Sequence, residues 1–281
     1  MYDAGFRSEL CGLQRASGEL RVRLERRDGA TVLDRLFQTG CLKARFPRGS
    51  ERGWLDVVTL NISGGIAGGD QLIGAFEIAA DARATIASQA AERYYRAPAG
   101  GPAARVRMRL SVGDGAAAEW LPQETILFDG CAIDRRLNVE LSDSSWFVGV
   151  EGLVFGRAAM GERVRTGQIH DVIRVRRAGR LIWHDAVRMD GDMDALLRRP
   201  AVANGARAVA NLIHVAPEAE RRVDAVRAAL ADLPAESGVS GWDGMLVARL
   251  LAAGAAPLRQ AVIAALGAVR SERNLPRVWL C

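Results

Sequence analysis

RVRMRLSVGDG, residues 105–115, is the stretch that decides the fold class. Its apolar side chains at positions 106, 108, 110 and 112 alternate with arginine or serine, and glycine follows at once. A period of two points one set of side chains into a core and the other into water, so the stretch predicts a β-strand that ends in a turn. Leu20–Leu24 repeats the alternation ahead of a turn at Asp28-Gly29.

The same alternation recurs across the first two thirds of the chain. Asp171–Arg177 and Leu181–Arg188 flank Ala178-Gly179, which predicts a hairpin. Strands follow one another at short spacing, and no strand–helix alternation with a dinucleotide-binding fingerprint occurs. We therefore expect a mainly β, layered body over residues 1–200 rather than a doubly wound α/β sheet.

The last third changes to a helical period. Glu218–Leu233 places apolar side chains on one face, and the segment after Pro257 does the same, with proline suited to a first helical turn. Gly241–Leu251 is a shorter helix candidate, so residues 205–272 are predicted to be the helical portion. Because no low-complexity linker separates the two parts, we expect a single domain over residues 1–281.

Composition argues against several classes of protein. The chain has 37 arginines and one lysine, Lys43, and a net charge of +5, but acidic residues are interleaved and aromatics make up only 6%. A nucleic-acid surface needs clustered cations with stacking aromatics, so no nucleic-acid partner is expected. No apolar stretch reaches the roughly 20 residues of a membrane helix, and no secretory signal is evident. The expected location is the cytoplasm, without a membrane partner.

Metal-binding residue types are few and scattered. The cysteines at 11, 41, 131 and 281 form no CxxC pair, and the three histidines form neither HxH nor HExxH. Reduced, structural cysteines are therefore expected, and a preformed metal cage built from these residues is not. No GxSxG nucleophile elbow occurs, although a cysteine and a histidine that meet only in space stay open as a possibility.

The glycine-rich segment Gly64–Asp70 has two interpretations. Gly64 and Gly69 have the spacing of phosphate-binding-loop glycines, but Asp70 stands where a lysine is needed, and a carboxylate repels phosphate. The segment is therefore either a tight turn that needs positive φ at some glycines, or a functional bend that points Asp70 at a ligand.

Four further segments stand out with it, and together the five identify a family. They are QAAERYYR at 89–96, LPQETILF at 121–128, GRAAMGE at 156–162 and LPRVW at 275–279. Each alone is a weak signal, but five in this order between about residue 15 and Trp279 closely resemble the urease accessory protein family UreD, also called UreH.

This resemblance implies a non-enzymatic maturation factor. Such proteins are similar to a β-helical stack of short strands with a few C-terminal helices. The implied role is a scaffold that binds apo-urease, a UreF-like bridging protein and, through the complex, a UreG-like GTPase, and that helps deliver nickel to the urease active site. No cofactor is expected to be tightly bound, and nickel only in transit. The alternative is a β-rich small-molecule-binding domain or enzyme with the Gly64–Asp70 loop at its pocket.

The resemblance also implies where nickel would pass. Matching the family's acidic positions gives Asp70, Glu151 and Asp185 as residues of an internal acid-lined passage, with His184 as a helper. Carboxylates and water hold divalent ions more weakly than histidine and cysteine do, which suits a conduit better than a storage site. The alternative for Glu151 and Asp185 is an ordinary surface or ion-paired carboxylate.

Overall fold

The structure is a computed structural model that describes residues 14–48, 51, 53–270 and 273–280. Within these residues the chain forms seventeen β-strands and three α-helices. The first strands are β1 (Ser17–Arg27), β2 (Ala30–Gly40), β3 (Leu42–Arg45), β4 (Leu55–Asn61), β5 (Gln71–Ile78), β6 (Arg83–Ser88), β7 (Glu92–Tyr94), β8 (Ala104–Val112) and β9 (Ala117–Leu121). The others are β10 (Thr125–Leu127), β11 (Cys131–Leu141), β12 (Trp146–Phe155), β13 (Thr166–Arg177), β14 (Arg180–Asp192), β15 (Ala208–Val215), β16 (Ala235–Trp242) and β17 (Met245–Ala252). The helices are α1 (Met193–Arg198), α2 (Val223–Leu230) and α3 (Ala255–Arg270).

The described strands form two sheets that the chain visits in turn. The first sheet has the order β14-β13-β11-β8-β5-β1-β2. Its strands β1, β5, β8, β11 and β13 run parallel. The second runs β16-β17-β15-β12-β9-β6-β4-β3, with β10 paired to β12 and β7 paired to β10, and its strands β4, β6, β9 and β12 are parallel. From β4 to β13 the chain passes back and forth between the two sheets, and each round trip forms one coil of a β-helical stack. The mainly β, β-helical prediction is confirmed.

The core lies between the inner faces of the two sheets, and the sequence alternation explains why. In β8, Val106, Leu110 and Val112 are buried whereas Arg105 and Arg109 are exposed. Apolar side chains of β1, β5, β11 and β13 join the same core from one sheet, and those of β4, β6 and β12 join it from the other. The two predicted turns also form, with positive φ at Asp28-Gly29 and at Ala178-Gly179.

The two longer helices cover the outer face of the ten-stranded sheet. Leu258, Val262 and Leu266 of α3 are buried in a second apolar cluster with residues of β15 and β17, as the helical period predicts. The segment after Glu218 is helical too, as a short 3-10 turn followed by α2. None of the helices in the described ranges has the length and apolarity needed to cross a membrane.

The prediction of a helix over Gly241–Leu251 is wrong. These residues form the end of β16, a turn and most of β17, and β15 also lies within the portion predicted to be helical. Strand β17 is buried on both faces, because Met245 and Val247 face the central core and Leu246 and Ala248 face the helices. A strand covered on both sides is apolar throughout, so its period of two disappears from the sequence.

A buried ion network fixes the end of α3 to the second sheet. Glu119 of β9 is fully buried and accepts hydrogen bonds from Arg270 Nε at 2.8 Å, Arg273 Nη2 at 3.0 Å and the Thr85 hydroxyl at 2.7 Å. The Arg273 guanidinium also stacks on the ring of Trp54. Every polar atom of this carboxylate has a donor, as a buried charge requires.

Candidate functional site

The glycine segment and the 89–96 segment meet in a small parallel pairing. Ile66 N donates to Arg93 O at 2.7 Å, and Tyr95 N donates to Ile66 O at 2.8 Å. The Tyr95 hydroxyl donates to Gly64 O at 2.7 Å. A Cβ at Gly65, whose φ is +145°, would lie 2.4 Å from the Tyr95 ring, so only glycine fits there.

The segments 121–128, 156–162 and 275–279 are joined to these two by further contacts. Phe128 N donates to Tyr94 O at 3.0 Å, and Gly156 N donates to Leu127 O at 2.8 Å. The Arg157 guanidinium lies over the Phe128 ring, 4.1 Å from its centroid. At the other end of the 121–128 segment, Gln123 Nε2 donates to Val278 O at 2.7 Å. The five segments that identify the family therefore form one contiguous region.

This region borders a cavity of about 200 Å³ that lies between the two sheets and has exposed residues such as Ala90 and Arg93 in its lining. Gly64 and Gly65 line one side of it, next to Gln89–Arg93. The cavity extends along the stack past apolar side chains of β1, β5 and β8 to Arg135 on β11 and Glu151 on β12. Gly64 and Gly65 thus do lie at a cavity, as the pocket alternative requires, but the Asp70 side chain is not among the lining residues.

One ion cluster closes the far end of this cavity. Arg135 is almost fully buried; its Nη1 forms an ion pair with Glu151 at 2.8 Å, and it donates hydrogen bonds to Asp171 from Nη2 at 2.5 Å and from Nε at 2.9 Å. Trp120 Nε1 donates to the second Glu151 oxygen at 2.7 Å. Because Arg135 and Asp171 are partners on the adjacent parallel strands β11 and β13, the sheet register itself brings them together.

Burial and charge act in opposite directions on this cluster. Burial raises the pKa of Glu151, and the nearby Asp171 adds to that rise while Arg135 opposes it. Burial alone would lower the pKa of Arg135, but the two carboxylates outweigh it and the pKa lies well above its usual value. Arg135 therefore stays charged. At the other end of the cavity, burial raises the pKa of Glu92, and the Asn61 amide opposes this by donating at 3.3 Å.

A second, much smaller cavity of about 20 Å³ lies beyond the cluster. Glu151, Asp171 and Asp185 all line it. The Asp185 carboxylate accepts a hydrogen bond from Asn211 Nδ2 at 2.6 Å and forms an ion pair with Arg249 at 2.6 Å. The Arg249 side chain is 57% exposed, so the small cavity lies close to the surface.

The structure thus brings together two of the three predicted acidic residues. Glu151 and Asp185 share the small cavity, and both are ion-paired. Asp70 lines neither cavity; its carboxylate accepts from Ala16 N and from Ala67 N, each at 2.8 Å, and so anchors the glycine segment to the start of β1. His184 is exposed on the opposite face of β14 from Asp185, so the two side chains do not meet.

Sequence reasoning missed Glu92, Arg135 and Asp171. For two of them a signal exists, because Arg135 and Asp171 occupy inward positions between apolar neighbours of alternating strands, where a charge is out of place. Within the described ranges no group of three or more histidine, cysteine or acidic side chains is arranged to hold a metal ion. The carboxylates of Glu151, Asp171 and Asp185 already have arginine partners.

The cysteines in the described ranges add no soft ligand. Cys41 and Cys131 are free and buried. Burial raises the pKa of both thiols, that of Cys131 to about 12, so neither offers the thiolate that binds metals. This agrees with the structural role predicted for them. Cys11 and Cys281 lie outside the described residues.

Comparison with known proteins confirms the resemblance. A profile of the family described as UreD urease accessory protein matches residues 16–280. Urease accessory protein UreD of Methylobacterium sp. (strain 4-46) is 46% identical over 256 residues, 89% of each chain. That of Rhodopseudomonas palustris (strain BisA53) is 42% identical over 275 residues, 97% of this chain and 93% of the other. The chain therefore belongs to the UreD urease accessory protein family, whose members are maturation factors rather than enzymes.

Proposed function

We propose that this urease accessory protein delivers nickel during urease maturation by letting the ion pass along its interior. The observation that carries the proposal is a row of four acidic side chains, Glu92, Glu151, Asp171 and Asp185. They follow the axis of the stack from the larger cavity, through the ion cluster, to the small cavity near the surface. We call these four residues the acidic row.

The chemistry of the acidic row suits a divalent ion in transit. Up to the ion cluster, the carboxylates of Glu92, Glu151 and Asp171 lie near three guanidinium groups, because Arg93 and Arg136 line the larger cavity together with Arg135. The positive and negative charges there balance in number, so an ion in transit competes with arginine for the carboxylates. Carboxylate oxygens bind late transition metals less tightly than imidazole or thiolate, so an ion held by them can leave again. Nickel is thus treated as cargo rather than as a resident cofactor.

Asp70 is proposed to act on this passage indirectly. Its carboxylate holds the segment whose Gly64 and Gly65 line the larger cavity, and it has two backbone donors of its own. A direct role as nickel ligand stays a prediction.

We further propose that the chain works in a complex with a UreF-like protein, a UreG-like GTPase and apo-urease, in the cytoplasm. Family membership supports the complex, and the free thiols of Cys41 and Cys131 fit a reducing compartment. Two apolar side chains stand out on the family segments and beside them: Ile62 is 63% exposed and Met160 72%. We propose that a partner protein covers these two side chains in the complex.

The test is urease activation with the complete accessory set at limiting nickel. Glu151→Gln and Asp185→Asn keep the size of the side chains and one acceptor oxygen but remove the negative charge, so we expect less nickel in urease and lower activity. Asp224→Asn is the matched control, because the Asp224 side chain is 94% exposed and far from either cavity lining. Full activation by both interior variants would refute the passage. Loss of complex formation in a pull-down with UreF-like and urease proteins would show a role in assembly instead.

A further inference from the structure

Arg135 stands between the two cavities of the acidic row. It lines the larger cavity, while its carboxylate partners Glu151 and Asp171 line the smaller one. All three of its guanidinium nitrogens donate to polar partners, since Nη1 also reaches the Thr125 hydroxyl at 2.9 Å. In this arrangement the carboxylates of the cluster are occupied by a cation that belongs to the protein itself.

The larger cavity can accommodate the Arg135 side chain in a different rotamer. Its volume of about 200 Å³ exceeds the space that a guanidinium group needs, and Glu92 lies on the same cavity. Arg93 and, to a lesser extent, Arg135 oppose the rise in the pKa of Glu92 that burial causes, and Arg93 and Arg136 line the same cavity. An Arg135 side chain rotated into the cavity would therefore lie near the carboxylate of Glu92.

We propose that Arg135 is a tethered cation that closes the passage, and that nickel crosses the cluster only when the guanidinium swings into the larger cavity. This inference rests on the proposed function. Two like charges cannot share the pair of carboxylates at close range, so the arginine and the metal ion occupy the cluster in alternation. When the ion has left, Arg135 returns and the buried carboxylates are again neutralised.

The exchange also prevents the cluster from becoming a storage site. Without Arg135, Glu151 and Asp171 would face each other as unpaired buried carboxylates, an arrangement that takes up a proton or a divalent cation. The arginine lowers the net affinity for nickel because the ion must displace it. A conduit must hold nickel weakly, and competition from Arg135 alone weakens the binding in this way.

Nickel binding to the full-length chain alone tests the proposal without urease. We expect Arg135→Gln to bind Ni²⁺ at least about tenfold more tightly than the unmodified chain in equilibrium dialysis, because a positive charge has been removed from between two carboxylates. The matched control is the triple variant Arg135→Gln, Glu151→Gln, Asp171→Asn, which keeps the side-chain shapes without the charges and should lose the added binding. Circular dichroism verifies that each variant is folded.

Arg135→Lys covers the case in which Arg135→Gln does not fold. A lysine keeps the charge but has no fork to hold both carboxylates, so we expect its Ni²⁺ affinity to rise by a smaller factor. Folded variants that bind Ni²⁺ no more tightly than the unmodified chain overturn the inference, and so does added binding that persists in the triple variant. The passage itself is judged separately by urease activation with Glu151→Gln and Asp185→Asn.

Discussion

Replacing Asp70 by alanine tests whether its carboxylate anchors the glycine segment or binds nickel. The Asp70 carboxylate is buried and accepts two backbone hydrogen bonds of 2.8 Å, from Ala16 and Ala67. A hydrogen bond to a charged group contributes about 1.5–3 kcal/mol, so removing both acceptors should lower the free energy of unfolding by about 3–6 kcal/mol. Asp70→Asn keeps one acceptor oxygen and should lose about half as much. Asp224→Ala, at an exposed position, should change stability by less than about 0.5 kcal/mol.

Urea denaturation measures the loss of stability. Urease activation at a series of nickel concentrations then distinguishes a loss of folded protein from the loss of a nickel ligand. An anchor variant has less folded protein at every nickel concentration, so excess nickel should not restore activation. A variant that lacks a nickel ligand should be restored by excess nickel. Asp70→Ala with unchanged stability and an activation defect that excess nickel corrects would refute the anchor and establish Asp70 as part of the nickel path.

Three further changes test other parts of the structure. Glu119→Ala leaves Arg270 without its buried partner and should cost about 3–5 kcal/mol in urea denaturation, whereas a loss below about 1 kcal/mol would show that the ion network contributes little. Gly65→Ala forces a methyl group against the Tyr95 ring and should lower the melting temperature clearly, and an unchanged melting temperature would contradict the contact. Because the folded-state pKa of Glu92 is raised, its ionisation destabilises the fold as pH rises above the ordinary value of about 4.3. Glu92→Gln should therefore be more stable than the unmodified chain at pH 8, and the difference should vanish by pH 4; equal stability at pH 8 would disprove the burial of this charge.

The elements that the sequence predicted well are those with one buried face. Strands β1 and β8, the β13–β14 hairpin and α3 each alternate between core and water, so their periods are visible in the sequence. The prediction failed at β17, which is buried on both faces, and an Asp243-Gly244 turn with positive φ at both residues was overlooked there. Alternation alone also did not distinguish a β-helical stack from a sandwich, because both bury one face of each strand.

The candidate site was predicted only in part, since it depends on register. Glu151 and Asp185 were identified through the family resemblance. Arg135 and Asp171 are 36 residues apart in the chain and meet because β11 and β13 are parallel partners in one particular alignment. A shift of one residue in that alignment would point the two side chains to opposite faces, and nothing in a single sequence fixes it.

The parallel coils have a consequence for the movement of an ion. Neighbouring strands lie about 4.8 Å apart, so inward side chains at matching positions recur at that interval along the interior. Arg135 and Asp171 occupy such matching positions on the adjacent parallel strands β11 and β13, and Glu151 and Asn211 are opposite each other on the antiparallel pair β12 and β15. The interval is close to the reach of a carboxylate that rotates about its own side-chain bonds. A travelling cation could therefore be handed from one oxygen to the next without ever being fully released, and inserting a coil would add a further step of the same length.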